Sequence, residues 1–380
     1  MLTTIIAFII VLGVLVMVHE LGHFVAAKLS GVKVLEFAIG FPPRIISFIK
    51  KETKYTIGLL PFGGYVQMLG ENGADFTSKT SKGSNEKDKK GNILSDPHAF
   101  LNQSPGKRFL ISIAGVLMNF VLAWLLLTVG YVAGMAPMTV SLENVAGKVS
   151  SPKIYVVEVQ KDSPAAKAGL EPEDIILKGT DSDQTVTFDS EQSVSDFTGA
   201  NKGREVTLTV SREGQILDKK LIVSDNSDAP IGIGIYNQSV IRLPWYKAPY
   251  YAALEVGGIT KQMFVFLGSF FHQLFARGEI SKEVGGPVAI FNLTGAAARA
   301  GVTALIQFMA LLSINLGLIN ILPFPALDGG RLLFIILEKI FGKKVVKEEV
   351  EGIIHTVGFA LLILLILAVT YKDVMRMLGK

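Results

Sequence analysis

The chain has 380 residues, of which 49% are hydrophobic and 18% are charged, with a formal net charge of +4 and no cysteine. This composition is too apolar for one soluble domain and is typical of a protein partly embedded in a membrane. The missing cysteines exclude disulfides, thiolate zinc sites and cysteine nucleophiles. Basic residues do not form a face with interleaved aromatic residues, which argues against nucleic-acid binding.

The first predicted element is a membrane-spanning helix within residues 1–30. Residues 1–18 contain no charged side chain and lack the basic start of a secretory signal, so we interpret them as a retained span. The run continues into His19-Glu20-Leu21-Gly22-His23. On a helix this spacing places both imidazoles on one face, and the glutamate between them can act on a metal-activated water. The motif therefore predicts zinc ligands at His19 and His23 and a general base at Glu20.

Residues 31–72 are expected to form a β-region at the membrane surface. Four short β-prone runs are separated by glycine and proline, at Lys33–Ile39, Arg44–Ile49, Tyr55–Leu59 and Gly64–Met68. Because open sheet edges cannot face lipid, we expect one edge to pair with an extended substrate segment. Residues 73–108, rich in Lys, Ser, Asn, Asp and Gly, are predicted to be a flexible cytoplasmic loop.

Three further spans are predicted at residues 109–135, 302–330 and 351–380, with a cytoplasmic connection at 331–350. Residues 28–108 carry 13 Lys and Arg against 7 Asp and Glu, whereas residues 135–302 carry 16 against 19. The positive excess favours a cytoplasmic position for the first loop. The N-terminus, the long middle region and the C-terminus would then lie outside the cytoplasm.

The middle region contains a separate water-soluble domain at residues 145–230. Its run Val-Gln-Lys-Asp-Ser-Pro-Ala-Ala-Lys-Ala-Gly-Leu at 159–170 closely resembles the PDZ fold, which binds chain ends or strands by β-augmentation. The resemblance implies a groove for a peptide or a client chain end, and the position between two spans suggests a size filter. A passive spacer is the alternative. Residues 231–301 are predicted to be amphipathic and to lie on the outer membrane face, chiefly through Trp245 to Ala276.

The end of the third span supplies a candidate for the remaining metal ligand. A catalytic zinc takes three protein ligands and keeps one position open. The first and third spans both run from outside to inside, so His23 and Asp328 would reach the same membrane depth. An ionisable residue beside membrane-embedded sequence is costly and usually functional. Asp328 is therefore the predicted third ligand. The alternative is that it only caps a helix at Arg331 to Phe341.

The histidine motif, together with Asn-Ile-Leu-Pro-Phe-Pro-Ala-Leu-Asp-Gly-Gly at residues 320–330, resembles the site-2 protease family of intramembrane zinc metalloproteases. The likeness covers nearly the whole chain. It is greatest to the bacterial regulator-of-sigma-E-protease-like branch, which cleaves anti-sigma factors and signal-peptide remnants. It implies that His19, His23 and Asp328 bind Zn²⁺ and that Glu20 acts as the general base and then the general acid. One departure is Val116, where the family usually has proline.

The same resemblance implies that four residues of the second motif contact substrate or hold the site, namely Asn315, Asn320, Pro323 and Pro325. For the two asparagines, hydrogen bonding between helices is an open alternative. His355, near the start of the last span, is expected to have a packing or interfacial role, although a fourth ligand is conceivable.

Together these features predict a polytopic α-helical membrane protein with four transmembrane helices, a membrane-associated β-sheet and an inserted extracytoplasmic PDZ domain. The expected function is zinc-dependent cleavage of transmembrane segments of single-span proteins in a bacterial inner membrane, near its cytoplasmic side. A metal-binding transporter and a PDZ scaffold without protease activity are the alternatives. A transporter does not need Glu20, and a scaffold leaves Asp328 without a purpose.

Overall fold

The structure is a computed structural model that describes residues 1–71, 96–140, 148–149, 153–182, 184–212, 214–225, 229–238, 240–277, 285–346 and 348–377. The chain divides into two compact units. The first combines Met1–Gly130 with Ala248–Lys380, and the second is Tyr131–Lys247. Most of the predicted loop at 73–108 lies outside the described residues.

The helices in chain order are α1 (Leu2–Leu29), α2 (Pro105–Ala133), α3 (Pro164–Lys167), α4 (Glu191–Ala200), α5 (Ala248–Arg277), α6 (Pro287–Ala300), α7 (Val302–Ile321), α8 (Asp328–Phe341) and α9 (Glu348–Met377). Among the described helices, α1, α2, α7 and α9 are long and apolar enough to cross a membrane. This confirms the prediction of a multi-pass membrane protein with about four spans. The apolar run after Trp245 forms the single helix α5, which is not one of the four candidates.

Helix α6 was not predicted from the sequence. It begins with proline at its first position, where the missing N–H costs no hydrogen bond. Its Gly295 lies against Thr4 of α1, where a Cβ would come within 2.6 Å of the threonine Cγ2. Phe291 meets Phe8 of α1 edge to face, with ring centroids 5.2 Å apart. Helix α6 thus packs beside the first span.

The β-region contains two long strands, β1 (Val34–Lys50) and β2 (Thr53–Met68), in place of four separate short ones. The pairing register nevertheless keeps the four predicted segments side by side. Residues 36–39 pair with 54–57 on one side and with 64–67 on the other, while 44–50 pair with 53–58. Residues 64–68 therefore form one edge of this sheet, with no partner strand on their outer side within the described residues.

The sheet, α1 and α2 share a buried apolar cluster that includes Ala27, Val34 and Ile111. Phe100 belongs to this cluster and is only 2% exposed. It lies in a short 3₁₀ helix, Phe100–Asn102. The described end of the predicted flexible loop is therefore ordered, because Phe100 fills an apolar site beneath the sheet. His98, just before it, is exposed, as expected of a surface histidine.

The second unit is built on an antiparallel sheet with its own core. Its strands are β3 (Lys148–Val149), β4 (Lys153–Val159), β5 (Ile175–Thr180), β6 (Thr185–Thr187), β7 (Glu205–Arg212), β8 (Gln215–Ile222), β9 (Ile233–Gln238) and β10 (Ile241–Arg242). The main sheet has the order β8-β7-β5-β4-β9, with β6 paired to β5. Because β9 pairs with β4, this unit extends beyond the expected end at residue 230.

Candidate metal centre

Helix α1 presents His19 and His23 one turn apart on the same face, as their spacing predicts. Both side chains are about nine-tenths buried, with 11% and 10% of their surface exposed. The rings meet edge to face with centroids 4.9 Å apart, and the two Nε2 atoms are separated by 3.3 Å. Two imidazole nitrogens thus converge on one point.

Asp328 reaches the same point from the far end of the chain. It lies in the first turn of α8, and its Oδ2 is 3.2 Å from His19 Nε2 and 3.3 Å from His23 Nε2. Leu327, not Asp328, occupies the N-cap, and no side-chain cap hydrogen bond forms. The alternative that Asp328 only caps a helix is therefore not supported.

The three converging atoms have the spacing that a zinc ion requires. They form a triangle with sides of 3.2, 3.3 and 3.3 Å. Tetrahedral zinc with bonds of about 2.0–2.1 Å separates neighbouring ligand atoms by about 3.3 Å. Asp328 Oδ2 is buried and forms no well-aligned hydrogen bond to any residue that the structure describes. The donor set fits a zinc ion with one ligand position left open.

Helix α2 forms the wall behind the two histidines. A Cβ at Gly22 of α1 would overlap the Ala114 carbonyl, and a Cβ at Gly115 would overlap the His23 ring. These glycines let the two helices approach closely. The backbone carbonyl of Ile111 accepts a 2.8 Å hydrogen bond from His23 Nδ1. That bond leaves the lone pair of His23 Nε2 free to bind a metal.

A compact turn between α7 and α8 positions Asp328. A Cβ at Gly329 would overlap the carbonyls of Ile321 and Leu322, so the Gly-Gly pair permits the tight backbone approach that was predicted here. Ala326 has a positive φ of 76°. Its N–H donates to Nδ1 of His355 over 3.0 Å. His355 thus contacts the turn that carries Asp328 and is not one of the three converging ligands.

A cavity of about 340 Å³ adjoins the three ligands and includes Glu20 in its wall. Its lining also contains Asn320 and the strand segment Gly63–Val66. Asn315, Pro323 and Pro325 are not in the lining. Pro325 instead packs against Gly358 of α9. Of the four residues assigned to substrate by resemblance, only Asn320 therefore borders the cavity.

An ion pair closes one side of the cavity, between Arg331 of α8 and Glu71 at the end of the β-region. Burial alone lowers the pKa of Arg331, but the neighbouring Glu71 carboxylate raises this pKa above its ordinary value. Arg331 therefore remains a cation. It also lies over the Phe100 ring, 5.7 Å from the centroid.

Several of these contacts were not predicted from the sequence, namely those of Gly115, Asn119, Glu71, Arg331 and His355. Of these residues, Asn119 could best have been recognised from the sequence, because an amide side chain within a predicted membrane span is usually functional. It is fully buried, and its side-chain amide lies 3.1 Å from Nδ1 of His19.

The whole chain is similar to a known protein family and to individual proteins of other bacteria. The chain matches Peptidase family M50 over residues 7–365. It is 37% identical over 369 residues to a Clostridium acetobutylicum protein with a zinc metalloprotease name, covering 96% of each chain. It is 32% identical to the zinc metalloprotease RasP of Oceanobacillus iheyensis, covering 99% of this chain and 100% of that protein. It is 31% identical to the regulator of sigma-W protease RasP of Bacillus subtilis, covering 98% and 99%.

Proposed function

This chain belongs to Peptidase family M50, the site-2 protease family of intramembrane zinc metalloproteases, and from this premise we propose how its residues act and on what. It is a multi-pass membrane protein and a zinc endopeptidase. We assign zinc binding to His19, His23 and Asp328 and the proton transfers to Glu20. The observation that carries this assignment is the 3.2–3.3 Å triangle of ligand atoms with Glu20 in the adjoining cavity wall.

A zinc ion held by His19, His23 and Asp328 would supply an acidified water and polarise the scissile carbonyl. Glu20 accepts a proton from the attacking water and then delivers it to the leaving amine nitrogen. Asn320 is proposed to hold the substrate backbone by hydrogen bonds, and its position in the cavity wall supports this role.

The substrate is proposed to bind as an added strand along residues 64–68. A protease needs an extended client, because carbonyls in a helix are occupied by hydrogen bonds. This segment is an edge of its sheet and also lines the cavity. A Cβ at Gly64 would lie 3.0 Å from Cγ of Glu20, so the strand backbone passes directly beside the proposed base. Strand addition would therefore bring a client backbone to the catalytic residues.

The clients are proposed to be transmembrane segments of single-span proteins, including anti-sigma factors and signal-peptide remnants. The name of the Bacillus subtilis relative, a regulator of sigma-W protease, supports this class. The charge bias supports an active site near the cytoplasmic side of a bacterial inner membrane, with the second unit outside the cytoplasm.

The second unit is proposed to be a PDZ domain that binds a client chain end and acts as a size filter. Its strands and two short helices are compatible with that fold. Removing residues 151–226 should then permit cleavage of clients that still carry an intact ectodomain. Unchanged selectivity would contradict the filter and leave the spacer alternative.

The function is tested with a single-span reporter in membranes, comparing the wild type, Glu20→Gln and the wild type with a zinc chelator. Loss of product in both treated arms is expected, while Glu20→Gln keeps its zinc. Glu205→Gln, which changes an exposed glutamate of β7 outside the cavity wall, is the matched control. Cleavage that survives Glu20→Gln would overturn the assignment of the base.

A further inference from the structure

We propose that Asn119 is a positioning residue for the metal: its Oδ1 accepts the Nδ1 proton of His19 and thereby fixes the tautomer that binds zinc. This inference rests on the proposed ligand set and extends it to a residue that touches neither the metal nor the substrate. Asn119 lies in α2, is fully buried, and its amide is 3.1 Å from His19 Nδ1.

The argument begins with the proton on His19. A neutral imidazole carries one proton, so a ring that binds metal through Nε2 must hold its proton on Nδ1. The two nitrogens are distinct, because Nε2 of His19 faces Asp328 Oδ2 at 3.2 Å whereas Nδ1 faces Asn119. A protonated Nδ1 needs an acceptor, and the only acceptor on the Asn119 side chain is Oδ1.

The hydrogen bonding around Asn119 leaves its Oδ1 available as the acceptor that His19 Nδ1 needs. With Nδ2 directed at the ring, Oδ1 is buried without a hydrogen-bond partner in the described part of the chain. A half-turn of the amide brings Oδ1 to the Nδ1 proton and leaves the lone pair of Nε2 available for zinc. We infer that this is the orientation in the zinc-loaded enzyme.

Helix α2 repeats this arrangement at His23. There the Ile111 carbonyl accepts from His23 Nδ1 over 2.8 Å. Ile111, Gly115 and Asn119 follow at i, i+4 and i+8, which places them on one face of the helix. Two acceptors thus flank a glycine that makes room for the His23 ring. One helix face sets the tautomer of both histidines.

The backbone of Asn119 is anchored separately, which provides a matched control. Ser313 Oγ of α7 donates to the Asn119 carbonyl over 2.8 Å. Ser313→Ala therefore removes a buried hydrogen bond at the same residue without changing the group that faces His19. Asn119→Asp keeps an oxygen acceptor, whereas Asn119→Leu has similar size and none.

The experiment measures zinc affinity of the full-length protein in detergent by competition with a chelating dye. Asn119→Leu is expected to bind zinc 10- to 100-fold more weakly, the usual effect of losing such an outer hydrogen bond. Asn119→Asp and Ser313→Ala should stay within about threefold of the wild type, a margin well below that effect. Wild-type affinity in Asn119→Leu, or equal losses in Asn119→Asp and Asn119→Leu, would overturn the proposal.

Two further measurements separate the possible failures. His19→Ala should lose zinc; if it does not, the ligand set itself is wrong. Because leucine could disturb packing, ¹⁵N spectra of histidine-labelled, zinc-loaded wild type supply a test without a mutation. A proton on Nδ1 of His19 is expected, and a proton on Nε2 would overturn the role of Asn119.

Discussion

Gly115 lies directly against the ring of His23. A Cβ at position 115 would approach the His23 Cε1 and Cδ2 atoms to 2.7 and 2.8 Å and would overlap Nε2. The ring cannot withdraw easily, because its Nδ1 is hydrogen-bonded to Ile111 on the same helix. A glycine in the second span therefore determines where a histidine of the first span can place its Nε2 atom, the proposed zinc ligand.

Gly115→Ala is expected to displace His23 and to weaken zinc binding at least tenfold, because the ligand triangle tolerates little movement. Zinc affinity measured with a chelating dye checks this. The matched control is Gly106→Ala in the same helix, where a Cβ would meet nothing within 4 Å. That control should bind zinc normally and gain up to about 1 kcal/mol of stability from helix propensity. Equal zinc affinity in both variants would contradict the packing argument.

His355→Leu is expected to loosen the turn before Asp328. It leaves the half-buried N–H of Ala326 without its acceptor, at a cost of about 1 kcal/mol, the lower end of the range for an unmade hydrogen bond. His355→Asn carries an oxygen near the position of Nδ1 and should recover part of that loss. Thermal unfolding of the zinc-free protein measures the effect. Thr356→Ala, at the exposed neighbouring position, serves as control and should change little. A leucine variant as stable as this control would show that the hydrogen bond does not support the turn.

The metal motif and Asp328 were predictable for different physical reasons. Helical periodicity alone places His19 and His23 on one face, and the direction of the spans brings Asp328 to the same depth. The roles of Gly115 and Asn119 depend on how closely α1 and α2 approach and at which rotation. Apolar composition does not encode that geometry, since many helix pairings bury similar side chains. Phe100 was missed because one large apolar residue in a polar stretch gives no periodic signal.

The second unit should lose stability in acid through Asp174. Its side chain is fully buried and accepts hydrogen bonds from Arg212 at 2.7 and 2.8 Å and from the Glu171 N–H at 2.9 Å. Burial alone raises the pKa of Asp174, but Arg212 lowers this pKa below its ordinary value. The stabilisation is therefore complete above the unfolded pKa of about 3.9 and is lost as the pH falls through the folded pKa.

Hydrogen exchange of β7 in the full-length protein, corrected for intrinsic rates, should show this acid-induced loss in the wild type. In Asp174→Asn, β7 should be less protected at neutral pH and less sensitive to pH below about 4, because the titrating group is gone. Asp225→Asn, which changes an exposed aspartate of the same unit, should retain the wild-type profile. If the protection of β7 falls with pH in the same way in Asp174→Asn and in the wild type, Asp174 is not the cause of the acid-induced loss of stability.

The edge at residues 64–68 should be required for cleavage and not for metal binding. In a strand the N–H groups of successive residues point alternately to the two sides, so proline at Tyr65 or at Val66 should remove a donor from the free edge in one of the two cases. That variant is expected to lose cleavage of a single-span reporter while binding zinc normally. Ser47→Pro is the matched control, because residues 44–50 form the opposite edge of the same sheet. If both Tyr65→Pro and Val66→Pro cut the reporter at the wild-type rate, strand addition at this edge is wrong. If Ser47→Pro is equally impaired, the loss reflects the sheet as a whole.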